Sequence, residues 1–195
     1  MRFQHGTVCA ALLLVASAAT AGELKGTVTA PGMKNNADAV VYIDAVPGKA
    51  FPAPSAHAKM DQKKLTFLPH VLPVLQGTTV DFTNSDPVLH NVFSPDKCCD
   101  RFNLGSWPQG TSRSYTFKSC CMATMLCRVH PEMEAFVVSL PTPWFAVTDK
   151  TGAYSIKEVP DGAYTVKVWH PKFKAEVSRP VTVAAVTSAD FTMKK

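Results

Sequence analysis

Short alternating segments, each cut off by Pro, Gly, Asn or Asp, limit this chain to β-structure. Period-two runs are read at Leu24–Ala30, Ala39–Ala45, Lys64–Leu68, Thr78–Asn84, His90–Ser94, Ser112–Lys118, Met122–Cys127, Glu134–Leu140, Tyr154–Val159, Ala163–His170 and Ala189–Met193. No convincing period of 3.6 appears. Asn84-Ser85-Asp86-Pro87, Pro108-Gln109-Gly110, Lys150-Thr151-Gly152 and Pro160-Asp161-Gly162 have the fixed or permissive backbone angles of tight turns. Many short strands with regular turns predict an all-β chain built of β-sandwiches. The Pro- and Ala-rich stretch Pro47–His57 reads as a linker.

The first residues have the pattern of an address. Arg2 and His5 precede an apolar run, Ala10–Ala19, ending in Ala19-Thr20-Ala21, which predicts a signal peptide, 1–21, cut after Ala21. The run is short for a bilayer span, a retained anchor being the alternative, and no later stretch approaches 20 apolar residues. The expected location is periplasmic or secreted, with no membrane span after cleavage. With 46% hydrophobic residues over the full sequence, a packed core can be built. The net charge of +5 is dispersed, without a basic run interleaved with aromatics, so no nucleic-acid partner is expected.

Beyond Cys9 in the leader stand Cys98, Cys99, Cys120, Cys121 and Cys127. Two adjacent pairs can form disulfides in an oxidising compartment, which leaves Cys127 over. Its context is Cys127-Arg128-Val129-His130-Pro131-Glu132-Met133, with His90-Asn91-Val92-Phe93 upstream. One-electron copper chemistry uses a thiolate and two imidazoles near one plane, with a weak axial thioether. A loop spaced two residues from Cys to His and two from His to Met can present three such ligands, and a neighbouring strand can add His90.

On these residues, 58–141 resembles a cupredoxin, and its ligand loop is similar to the type 1 copper loop of amicyanin. The stretch Gly77-Thr78-Thr79-Val80-Asp81-Phe82-Thr83-Asn84 before His90, and Thr116-Phe117 ten residues ahead of Cys127, add to the likeness. The resemblance implies a Greek-key β-sandwich holding one copper ion. His90, Cys127 and His130 would be equatorial ligands, Met133 axial, and Asn91 would tie the His90 segment to the Cys127 loop. The wider pattern is similar to bacterial methylamine-utilisation cupredoxins.

The end of the chain, with Val159-Pro160-Asp161-Gly162-Ala163-Tyr164-Thr165-Val166, resembles the carboxypeptidase regulatory-like β-sandwich. The opening strands of that family look like Gly26-Thr27-Val28 and Ala39-Val40-Val41-Tyr42-Ile43. The expectation is therefore a second, smaller, discontinuous sandwich of 22–48 plus 144–195, with the cupredoxin inserted. The alternative is that 22–48 packs on the copper domain itself.

Cys120 and Cys121 precede Cys127 by seven and six residues on one strand, about 20 Å from the ligand end at about 3.3 Å per residue. Cys98 and Cys99 lie eight and nine residues beyond His90, toward the same end of the sandwich. One or two disulfides joining Cys98 or Cys99 to Cys120 or Cys121 are expected, the rival being a four-thiolate metal site. His57, His70 and His170 lack partners at ligand spacing, and Met122 and Met125 read as core. Pro87, Val88, Leu89 and Pro131 either rim a partly exposed His130 for partner docking or simply cover the metal.

The expected function is transfer of single electrons between redox partners such as a cytochrome or a dehydrogenase, with no enzymatic activity. The alternative is copper delivery or sequestration. A purely structural or adhesive role is the third reading. The His-x-His pairs of multicopper oxidases and the second loop cysteine of dinuclear electron-transfer sites are absent from the sequence.

Overall fold

The structure is a computed structural model describing residues 21–194. Of the expected leader, only Ala21 falls among the described residues, and it opens the first strand. The strands are β1 (Ala21–Thr29), β2 (Val40–Ile43), β3 (Ala58–Gln62), β4 (Phe67–Leu68), β5 (Val71–Leu75), β6 (Thr79–Asn84), β7 (His90–Phe93), β8 (Asn103–Trp107) and β9 (Ser112–Thr116). They continue as β10 (Cys121–Leu126), β11 (Glu134–Leu140), β12 (Phe145–Val147), β13 (Ala153–Pro160), β14 (Gly162–Trp169), β15 (Val177–Val183), β16 (Val186–Ser188) and β17 (Phe191–Thr192). One 3-10 turn, Lys97–Cys99, follows β7. The chain is all-β, folded as two β-sandwiches.

In the first sandwich, the sheet β5-β11-β10-β7-β8 faces the sheet β4-β3-β6-β9. Alternate residues point inward from both, and Met60, Phe67, Val80, Phe82, Val92, Trp107, Ala123, Met125 and Val137 form one buried cluster. The second sandwich pairs β13-β1-β16, with β17 also on β1, against β12-β2-β14-β15. Its core includes Leu24, Val28, Val41, Ile43, Ile156, Val166, Val168 and Val183. The early strands β1 and β2 hydrogen-bond to late ones, β1 with β13 and β2 with β12 and β14.

Two strands are apolar on both faces, because each lies between two cores. In β2, Val41 and Ile43 enter the second core while Val40 and Tyr42 turn outward. In β11, Ala135 and Val137 enter the first core while Phe136, Val138 and Leu140 turn outward. The outward residues meet, with Val71, in a third buried cluster that joins the sandwiches. At 5.5 Å between centroids, Phe136 and Trp169 make an edge-on aromatic pair across this seam.

The segment Lys64–Leu68, expected as a strand, is mostly a turn between β3 and β4. Lys64 and Leu65 adopt positive φ of 56° and 55°, and both their backbone N–H groups donate to the Asp86 carboxylate at 2.6 and 2.8 Å. A distant carboxylate thus overrides the local apolar pattern. β3, β5, β8, β12, β15 and β16 are strands that the sequence did not predict.

Candidate metal centre

Strand pairing builds the site from three places. Leu126 pairs with Glu134, so the antiparallel β10–β11 ladder closes the loop that bears Cys127, His130 and Met133. Within it, the Met133 N–H donates to the His130 carbonyl at 3.0 Å, a tight turn, and Met133 belongs to the same buried cluster as Cys127. His90 opens β7, whose Phe93 pairs with Leu126. The connection from β6 to His90 is held by the buried Asn84 side chain. Its Nδ2 donates to the carbonyls of Val88 (2.8 Å) and Trp107 (3.0 Å), and its Oδ1 accepts the Asp86 N–H at 2.9 Å.

Cys127 Sγ lies 3.9 Å from His90 Nδ1 and 4.0 Å from His130 Nδ1, and the two Nδ1 atoms are 3.1 Å apart. A triangle with those sides has a circumradius of about 2.1 Å, the length of a metal–imidazole bond and close to a metal–thiolate one. The three donors therefore fit one ion near their own plane. Cys127 and His90 are buried, His130 is half-buried, and Met133 is buried beneath the same loop.

Neighbouring groups fix the donor atoms. His90 Nε2 is 2.9 Å from Asp86 Oδ2, and a carboxylate only accepts, so Nε2 carries the proton and Nδ1 presents its lone pair to the site. Burial pushes the Asp86 carboxyl up, but hydrogen bonds from Leu65, His90 and Lys64 outweigh it and hold the group below its ordinary range. The Asn91 N–H donates to Cys127 Sγ at 3.4 Å, which stabilises negative charge on the sulfur. The Asn91 side chain donates through Nδ2 to Asn103 Oδ1 (2.9 Å) and the Gly105 carbonyl (2.7 Å), while its Oδ1 accepts the Arg128 N–H at 3.3 Å. That residue spans β7, β8 and the ligand loop.

Asp86 is the residue of this candidate site that sequence reasoning missed, being read there only as part of a turn. An acid four residues before the upstream ligand, at the turn between two strands, was the available signal.

The other histidines among the described residues lie elsewhere: His57 pairs with Asp81 at 2.9 Å, His70 with Asp38 at 2.8 Å, and His170 accepts the Lys172 N–H at 3.1 Å. Met125 is in the first core and Met122 in the seam. Pro87 and Pro131 are exposed, as are Val88 (43%), Leu89 (53%) and Val129 (45%), forming an apolar surface on the segments that flank His90 and His130. At the far end of β10, Cys98 and Cys121 form a disulfide, while Cys99 and Cys120 are free thiols.

Comparison with known families matches residues 134–194 to the carboxypeptidase regulatory-like domain. The matched segment starts in β11 and runs through the late strands of the second sandwich. No curated protein matches the chain. Among solved structures, a copper-containing nitrite reductase from Thermus scotoductus is similar over 51% of this chain (TM-score 0.43, 22% identity), and the chain spans only 25% of that protein. A purple cupredoxin from Nitrosopumilus maritimus is similar over 42% of this chain and 98% of its own (TM-score 0.39, 25% identity). A Cu(I) form of a mutant amicyanin is similar over 52% and 98% (TM-score 0.42, 21% identity).

Proposed function

We propose that this protein is an exported type 1 copper protein that passes single electrons between redox proteins and performs no substrate chemistry of its own. The observation that carries the reading is the His90–Cys127–His130 triangle, whose centre lies one metal–ligand bond from all three donors. Copper bound there would supply a one-electron couple, its two oxidation states served by the thiolate and the imidazoles.

The chain's own groups suit that duty. His90 is locked by Asp86, and the ligand loop is pinned to β7 and β8 through Asn91. Donors held this firmly rearrange little when an electron arrives or leaves. Met133, buried under the loop, is the axial candidate. Half-buried His130, within an apolar surface of Val88, Leu89, Val129, Pro87 and Pro131, gives a partner such as a cytochrome or a dehydrogenase a short route to the centre. The burial of Cys127 and His90 argues against the alternative, copper delivery, which needs ligands an acceptor can reach.

The test is the absorption spectrum of protein loaded with Cu2+. A strong thiolate-to-copper band at about 600 nm is expected for a trigonal site of one thiolate and a pair of imidazoles, and it should vanish in Cys127→Ala. A colourless wild-type complex, or a band that survives in Cys127→Ala, rejects the proposal.

A further inference from the structure

A second sulfur cluster lies at the opposite end of β10 from Cys127. Among the described residues, the donor atoms of Cys98, Cys99 and Cys121 all lie within 4.8 Å of one another, although only Cys98 and Cys121 are joined. Successive residues of a strand face opposite ways. Cys121 accordingly points into the first core, where Cys99 also lies, while the Cys120 thiol donates outward to Gln76 Oε1 at 3.2 Å. Three sulfurs converge and the fourth is turned away.

Two further features set this cluster apart from an ordinary disulfide staple. Ser139 pairs with Cys121 across the β10–β11 ladder, and its Oγ is buried without a hydrogen-bond partner. A buried hydroxyl left unpaired is costly, and a thiolate at Cys121 would give it an acceptor. A cavity of about 450 Å3 between the sandwiches is lined by Cys98, Cys120, Cys121, Met122 and Ser139. It gives small ions and a reductant a way in, past sulfur ligands on its wall.

We infer that reduction of Cys98–Cys121 opens a second, all-sulfur site in which Cys98, Cys99 and Cys121 bind one soft monovalent cation, Cu+. The reduction takes two electrons and two protons from a dithiol, which becomes a disulfide as the Cys98–Cys121 bond breaks into two thiols. Cu+ then replaces thiol protons, which leave to solvent. Metal–thiolate bonds of about 2.3 Å in a trigonal plane put the sulfurs about 4 Å apart; Cys99 lies within 4.8 Å of both other sulfurs, and breaking the Cys98–Cys121 bond frees that pair to part to this distance. Three donors suit Cu+ better than Zn2+, which takes four in a tetrahedron. Cys120 does not supply the fourth.

The experiment uses the full chain with Cys127→Ala in place, so that the first site lacks its thiolate, and the oxidised form measures whatever Cu+ His90, His130 and Met133 still hold. Oxidised protein and protein reduced by a phosphine are titrated anaerobically with Cu+ against a chromophoric Cu+ chelator, with near-ultraviolet circular dichroism reporting the fold. Expected are no tight binding by the oxidised form and one Cu+ by the reduced form. Adding Cys99→Ser should weaken that binding by about tenfold or more, while Cys120→Ser leaves it unchanged. The inference is overturned if reduced, folded protein binds no Cu+, if Cys99→Ser and Cys120→Ser weaken binding equally, if Zn2+ competes on equal terms, or if reduction erases the near-ultraviolet signal. The blue band of oxidised wild type tests the first site separately.

Discussion

Replacing Asn91 by alanine tests how the ligand loop is held. The substitution deletes three hydrogen bonds, to Asn103 Oδ1, the Gly105 carbonyl and the Arg128 N–H, at 2.9, 2.7 and 3.3 Å. Asn91 itself is buried, whereas Asn103, Gly105 and Arg128 are exposed, so the cost is that of the lost bonds and not of stranded buried partners. At about 1 kcal/mol for each lost bond the cost is about 3 kcal/mol. For a chain of this size that lowers the melting temperature by about 9 °C. The backbone N–H of residue 91, which donates to Cys127 Sγ, survives the change. Copper-loaded Asn91→Ala should therefore keep its blue band while melting early, as followed by circular dichroism and absorption on the same sample. A fall of less than about 3 °C would show that the loop is held by something other than this side chain, and the account of Asn91 would be wrong.

Three other changes have defined outcomes. Cys121→Ser removes the disulfide partner of Cys98; opening a loop with a sequence separation of 23 should cost about 3 kcal/mol in a denaturant titration, and an unchanged midpoint would refute the staple. Burial, set against a hydrogen bond to Ala37 and the charge of Asp38, holds the His170 pKa below its ordinary value, with His70 and Lys172 adding to the depression. The unfolded chain therefore takes up a proton before the fold does, so stability should be constant above about pH 6.5 and fall below it; in His170→Gln this part of the pH dependence of thermal melting should disappear. Met133→Leu should retain copper and colour while raising the reduction potential measured by voltammetry, and outright loss of the metal would reject Met133 as a weak axial group.

Much of the candidate centre can be read from the sequence because three of its four candidate donors are packed into one short loop. Cys127, His130 and Met133 lie between two paired strands, so their spacing alone restricts where they can go. What escapes is set by contacts between distant residues. Asp86 acts through His90, Lys64 and Leu65, and no local pattern links the last two to a carboxylate more than twenty residues away. β5 contains Pro73 and β15 contains Pro180, both normally strand-breaking, yet each strand forms against a single partner: β5 on β11, β15 on β14. The sulfur arrangement was half legible. The sequence left one or two bridges and their partners open; the structure forms one, and the choice of Cys98 over Cys99 depends on the turn Lys97–Cys99.

The pairing of β1 with β13 has a kinetic side. As the chain is made or threaded from its amino end, β1 appears about 130 residues before the strand that will cover its edge. The intervening sandwich, whose strands contact one another over shorter spans, can close first, because loop-closure entropy weighs least on near neighbours. Until the late strands arrive, β1 and the wholly apolar Val40–Ile43 have no lasting partner, and that interval is when this chain is most prone to aggregate or to need a chaperone.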